Sequence, residues 1–215
     1  QEKGIPFLTT NAVGVRDIVK NILIYDGGSL GFDKDGHQIA ELKRFERDFK
    51  VVDLEKQGDP INPKTYTKFD EIYDALIFAQ QEVFKTIGIP NAQVHMSRGL
   101  DSAIVDALVT QAMGRQRTVF ITNPTEDNSD ATKSAAQYIA DQLVVKLHWN
   151  ATQEPYKATV QAHKDAFGQE PTLTGKACIQ AVLRTAQGVG AYHTFKSGIV
   201  ATGNHTEIVE GWATF

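Results

Sequence analysis

The chain has 215 residues, 41% apolar and 22% charged, enough apolar content to bury a core and too little charge for a disordered chain. Its 22 basic and 26 acidic side chains leave a net charge of −4, which offers no cationic field for nucleic acid or an anionic membrane. One cysteine excludes a disulfide framework and a Cys-clustered zinc site, no apolar run reaches the roughly 20 residues of a membrane span, and the opening Gln-Glu-Lys-Gly has no signal-peptide character, so a cytoplasmic protein is expected.

Residues 1–54 read as all-β. Ile22–Tyr25 is a short apolar strand closed by Asp26-Gly27-Gly28-Ser29, and Leu30–Phe32 runs into Asp33-Lys34-Asp35-Gly36, a hairpin-type turn. Asp33 and Asp35 resemble half a calcium loop, but the glycine and the strand pattern around them favour the turn. Phe49–Leu54 resumes strand patterning, and the polar stretch 55–67, with Pro60 and Pro63, reads as a linker. Within residues 68–215 the period then changes. Phe69, Ile72, Tyr73, Leu76, Val83, Phe84 and Ile87 share one helical face that stops at Gly88 and Pro90. After it, strands at Gln93–Met96, Thr118–Thr122, Val144–Trp149 and Gly198–Thr202 alternate with helices at Asp101–Met113, Ser129–Leu143, Gln153–Phe167 and Ala177–Tyr192. That alternation predicts an α/β, doubly wound parallel sheet of Rossmann-like type, covered on both faces.

The most informative stretch is His95-Met96-Ser97-Arg98-Gly99-Leu100-Asp101-Ser102, which joins a predicted strand to a predicted helix. A helix N-terminus presents unpaired N–H groups and the positive end of a dipole, both suited to phosphate. Ser97 and Ser102 carry hydroxyls, and Gly99 allows close backbone approach. Asp101 repels phosphate directly, yet suits a Mg²⁺ ion bridging to it. An ordinary helix cap at Asp101 or Ser102 accounts for the same residues.

Ser97–Ser102 resembles the Ser-Gly-Gly-x-Asp-Ser loop of the N-type ATP pyrophosphatases, and no Walker-A sequence is present. Three further stretches resemble NAD synthetases in the same order. They are Thr122-Asn123-Pro124-Thr125 with Asn128-Ser129, the run Cys178-Ile179-Gln180-Ala181-Val182-Leu183-Arg184, and Thr202-Gly203-Asn204-His205-Thr206-Glu207 with Gly211-Trp212-Ala213-Thr214. Asn11-Ala12-Val13-Gly14, Tyr25–Ser29 and Asp33–Gly36 look like the closing strands of a nitrilase-type amidase domain, as found in glutamine-dependent NAD synthetases.

The resemblance implies a nitrilase-like glutaminase end at 1–54 and an adenine nucleotide alpha hydrolase-like ATP pyrophosphatase domain at 68–215, incomplete at its C-terminus. The implied reaction is ATP-dependent amidation of nicotinic acid adenine dinucleotide, with ammonia from glutamine or free. Carried over by position, Ser97, Gly99, Asp101, Ser102 and Thr202 bind ATP, Asp101 and Glu207 hold Mg²⁺, and Arg184 meets the dinucleotide. Subunits that assemble are implied as well. GMP synthetase, asparagine synthetase and tRNA thiolase are disfavoured by the nitrilase-like part.

Several residues depart from the pattern. Arg98 replaces a loop glycine, Val182 an arginine, Cys178 an asparagine and His205 a lysine. Cys178 is expected as a small buried residue rather than a nucleophile. The amidase cysteine belongs N-terminal to Asn11, so these 215 residues alone are not expected to hydrolyse glutamine. A noncatalytic relic or subunit-contact module is therefore the alternative. His37, His95, His148, His163, His193 and His205 show no zinc spacing.

Overall fold

The computed structural model describes residues 4–17, 22–54, 61, 65–96, 99–126 and 130–203, with backbone only at 17 and 130–133. The chain forms two compact units, Gln1–Val83 and Phe84–Phe215.

The first unit is built from short antiparallel pairs: β1 (Phe7–Leu8), β2 (Val13–Asp17), β3 (Ile22–Asp26), β4 (Leu30–Phe32) and β5 (Gln38–Glu41). They form a three-stranded sheet in the order β1-β4-β5 and a separate β2-β3 ladder. The turn from β4 to β5 is held by Asp33, whose Oδ1 accepts from the Asp35 and His37 amides, both at 2.9 Å. Asp33 Oδ2 lies 3.1 Å from His37 Nδ1, and Gly36 adopts the left-handed φ of 84° that the turn requires. Asp33, Asp35 and His37 do converge, but the Asp33 carboxylate is committed to closing the turn. No strand forms over 49–54: Phe49 and Val51 are 81% and 83% exposed, so their alternation meets no partner ladder. Residues 55–60 and 62–64 of the expected linker lie outside the described residues.

Helix α1 (Lys68–Ile87) starts at a reciprocal cap. The Asp70 amide donates to Thr67 Oγ1 at 3.2 Å, while Asp70 Oδ2 accepts from the Thr67 amide and hydroxyl at 3.1 and 2.6 Å. Of its predicted apolar face, Phe84 is buried, whereas Phe69, Ile72, Tyr73, Leu76 and Ile87 are exposed.

In the second unit the predicted alternation appears as β6 (Asn91–His95), α2 (Leu100–Met113), a 3₁₀ turn (Arg115–Arg117), β7 (Thr118–Thr122), α3 (Asp130–Leu143), β8 (Leu147–Trp149), α4 (Gln153–Phe167), α5 (Leu173–Phe195) and β9 (Ser197–Val200). The four strands form one sheet, all parallel, in the order β8-β7-β6-β9. β7, Thr-Val-Phe-Ile-Thr, has the β-branched and aromatic content of a strand covered on both faces, and Phe120 and Ile121 are buried. Ala92, Val94 and Phe120 complete a dry centre with Val109 and Met113 of α2. At Gly198 a Cβ would stand 3.0 Å from the Phe84 ring, so that ring lies against β9 only because residue 198 has no side chain.

Several boundaries differ from expectation, and two of the shifts have a visible local cause. Val144 and Val145 look like strand but close α3. Val144 takes φ 56°, its amide bonds Asp141 O at 3.1 Å, and the Val145 amide bonds Ala140 O at 3.0 Å. Helix α5 begins four residues earlier than its apolar pattern, because Thr172 caps it by accepting from the Gly175 amide at 3.1 Å. Thr172→Ala will cost about 1 kcal/mol of stability in urea denaturation, and Thr172→Ser will restore it.

Candidate functional site

The strand order places a topological switch beside β6. The chain leaves β6 toward β7 and β8 on one side, then returns to β9 on the other. Ligands of open α/β sheets sit outside the carboxyl ends of the strands at such a switch. The predicted phosphate loop follows β6, and Thr202 follows β9, two residues past its end and half-buried.

Gly99 is the N-cap of α2, with φ −67° and ψ 150°, and offers no side-chain oxygen to the first turn. Asp101 stands exposed in that turn. Ser102 points the other way: it is 1% exposed, and its hydroxyl donates to the Gly99 carbonyl at 3.0 Å. Ser97, Arg98, Asn128, Ser129, His205, Glu207 and Trp212 lie outside the described residues. Arg184, on α5, is half-buried and makes no ion pair among the described residues. Burial lowers its guanidinium from the ordinary value. Val182 is 63% exposed on the same helix. Cys178 is exposed, which corrects the expectation of a buried residue: its position on α5 faces outward among the described residues.

Sequence reasoning missed a polar hub at the tips of β6, β7 and β8. Gln187 of α5 is its centre. Gln187 Oε1 accepts from Asn123 Nδ2 and from Thr152 Oγ1, each at 2.8 Å. Gln187 Nε2 donates to Ala151 O at 3.1 Å and Asn150 Oδ1 at 3.3 Å. Asn123 Nδ2 also reaches Asn150 O at 3.1 Å, so the remaining Asn123 oxygen can only accept. Its partner, 2.7 Å away, is His95 Nδ1, which therefore carries the ring proton. His95 Nε2 keeps a buried lone pair with no hydrogen-bond partner among the described residues. A Cβ on Gly188 would come within 3.0 Å of that nitrogen, so the glycine makes room for the ring. Burial holds His95 below its ordinary value; the Asn123 hydrogen bond opposes this and the Arg184 charge adds to it. Asn123 belonged to a recognised motif, but nothing local in the sequence joins it to positions 95, 150, 152 and 187.

Beside the hub a cavity of about 410 Å³ opens, walled by His148, Trp149 and Asn150 and by Gln187, Ala191 and Phe195 of α5. Among the described residues no helix is long and apolar enough to cross a membrane.

The NAD synthase family matches residues 64–215. Glutamine-dependent NAD(+) synthetase from Rhodobacter capsulatus is 27% identical over 222 residues, covering 99% of this chain and 39% of that protein. The Thermotoga maritima counterpart is 24% identical over 241 residues, covering 95% and 41%. The chain thus spans about two fifths of these relatives' length. In fold it is similar to the glutamine-dependent NAD+ synthetase from Acinetobacter baumannii in complex with ADP, with a TM-score of 0.82 at 24% identity over 97% of this chain and 40% of that one. It is also similar to the NH3-dependent NAD synthetase from Campylobacter jejuni, with a TM-score of 0.63 at 19% identity over 69% and 62%. Since the family covers most of the sequence, including every element of the parallel sheet, this chain belongs to the NAD synthase family.

Proposed function

We propose that the chain binds ATP at the tip of β6 and takes part in amidating nicotinic acid adenine dinucleotide to NAD, with ammonia from glutamine or free. In this reading residues 1–54 are the end of a nitrilase-like glutaminase domain, and 68–215 carry the ATP pyrophosphatase domain. The observation that carries it is the strand–glycine–helix junction at the switch point, with Gly99 at the cap and Asp101 exposed in the first turn.

The chemistry asks for a better leaving group than oxide. The substrate carboxylate attacks the α-phosphorus of ATP, pyrophosphate leaves, and the carboxylate carries AMP. Ammonia then adds to the carbonyl, AMP departs with the bonding pair, and the nitrogen loses a proton to give the amide. Ser97, Gly99 and the first turn of α2 cradle the phosphates, and Ser102 braces the loop through the Gly99 carbonyl. Thr202 contacts ATP from the end of β9. Arg184, a half-buried cation, faces the dinucleotide. The exposed Asp101 carboxylate is the hard oxygen donor that Mg²⁺ takes, so Asp101 and Glu207 would hold the ion. When bound, Mg²⁺ neutralises phosphate charge as it builds up.

Calorimetric titration with Mg-ATP tests the reading. Binding is expected at millimolar ATP or below, and Asp101→Asn should weaken it by about tenfold or more, the worth of one charge-assisted contact. An absence of heat at millimolar ATP would remove the assignment. The exposed Val182 favours a second reading, in which the fold persists without turnover, because valine gives an anionic substrate no contact where the resemblance implies arginine. That reading expects ATP to bind without ATP–pyrophosphate exchange, and expects Val182→Arg to leave exchange absent.

A further inference from the structure

Helix α2 lays one row of side chains inward, Ser102, Asp106, Val109 and Met113, all buried at the spacing of a single helical face. Three of the four suit that place. Asp106 does not: it is fully buried, and neither carboxyl oxygen has a hydrogen-bond partner among the described residues. A buried ionised carboxylate with no donor is among the costliest groups a core can hold, whereas the protonated acid is tolerable.

Among the described residues no cation on the neighbouring elements offsets the charge. Helix α2 packs on β6, β7, α3 and the 3₁₀ turn. β7 has no titratable side chain. On β6 the one titratable group is His95, and its ring is turned to Gly188 of α5. Arg115 and Arg117 of the 3₁₀ turn are exposed, as are Tyr138 and Asp141 of α3, while the side chains of Asp130 and Lys133 lie outside the described ones. On α2 itself Asp101 is exposed. Burial alone raises the Asp106 carboxyl, to about 7.

Asp106 lies one helical turn behind Ser102, which ties the helix to the Gly99 carbonyl at 3.0 Å. We propose that Asp106 is a positioning residue that seats the first turn of α2 only while it is protonated, so that ionisation of this acid loosens the Gly99–Ser102 turn that faces the phosphates. The carboxylate must draw in water or lift the inward row to find a donor, and Ser102 is the next residue on that row. The inference rests on the ATP reading above and adds a proton dependence to it.

Mg-ATP titrations of the full 215-residue chain at pH 6.0, 7.0 and 8.5 test this, for the wild type and for Asp106→Asn, a neutral group of the same shape (these set points span about 7, the value that burial gives Asp106). Titration of the nucleotide itself is common to both proteins and cancels. Wild-type affinity should fall by about tenfold from the lowest to the highest pH, while the variant should change less than about twofold, as expected when one coupled group titrates across the range. Asp106→Ser, small and neutral, serves as a second variant should the asparagine form fold poorly, and far-UV circular dichroism at each pH confirms folding. Equal pH slopes in wild type and variants overturn the role of Asp106 and leave ATP binding standing. No binding by any of the proteins at any pH overturns the ATP reading, and this inference falls with it.

Discussion

Asp106→Asn will flatten a stability loss of up to about 4 kcal/mol that the wild-type chain undergoes between about pH 4 and about pH 7. The Asp106 carboxyl ionises near 3.8 when exposed and near 7 when folded, because burial disfavours its charge. Between those values the folded state holds a proton that the unfolded state has released. Stability therefore falls as pH rises through this window, at about 1.4 kcal/mol per pH unit, and is level above about 7, where both states are ionised. Asp33, Asp48 and Glu170 work in the opposite sense: their values are lowered in the fold, so their contributions are lost as pH falls. Wild type minus variant isolates Asp106 from them. Urea denaturation at unit steps from pH 4 to pH 8 measures the difference, which should open on the alkaline side with the variant the more stable. Parallel curves would mean that Asp106 finds water or a donor in solution.

The elements that could be read from sequence are those whose signals are local. β7 matched to the residue because its five side chains suit a strand covered on both faces, and α4 matched because Gly168 stops it in the left-handed region. Pairing is not local. β1, β2 and β5 are short segments that become strands only by finding a partner, whereas Phe49–Leu54 has strand-like residues and finds none. Val144 misled for a related reason, since a β-branched residue at φ 56° is disfavoured by itself and is held there by the closing turn of α3. The junction between β6 and α2 was legible because a glycine following a strand pattern and preceding a helical one marks a helix start, which Gly99 is. Asp106 was not, because a lone acid in a helix looks like any solvated acid until packing reveals which face is inward. Cys178 failed in the opposite direction: its small apolar side chain suggested a core position, but that face of α5 is open.

Gln187→Ala should be the most damaging single truncation at the strand tips, at about 2–4 kcal/mol. Gln187 Oε1 is the acceptor for the Thr152 hydroxyl, which is fully buried, and for one of the Asn123 amide protons. Losing an acceptor leaves each buried donor with its desolvation cost of about 1–3 kcal/mol, and the vacated volume is too polar to close over. Asn123 retains the Asn150 carbonyl and His95, which keeps the total below two full penalties. Gln187→Glu will not rescue at neutral pH, because a carboxylate repels the Asn150 and Ala151 oxygens that the amide now donates to. A second readout separates this hub from ordinary packing. Asn123 is oriented by two acceptors, Gln187 Oε1 and Asn150 O, so ¹⁵N spectra of the His95 ring should show a single Nδ1–H tautomer in wild type and a smaller share of it in Gln187→Ala, where only the Asn150 contact remains. A stability change within about 0.5 kcal/mol, with the tautomer unchanged, would show that water replaces the glutamine at no cost and that the strand tips are held by their backbone alone.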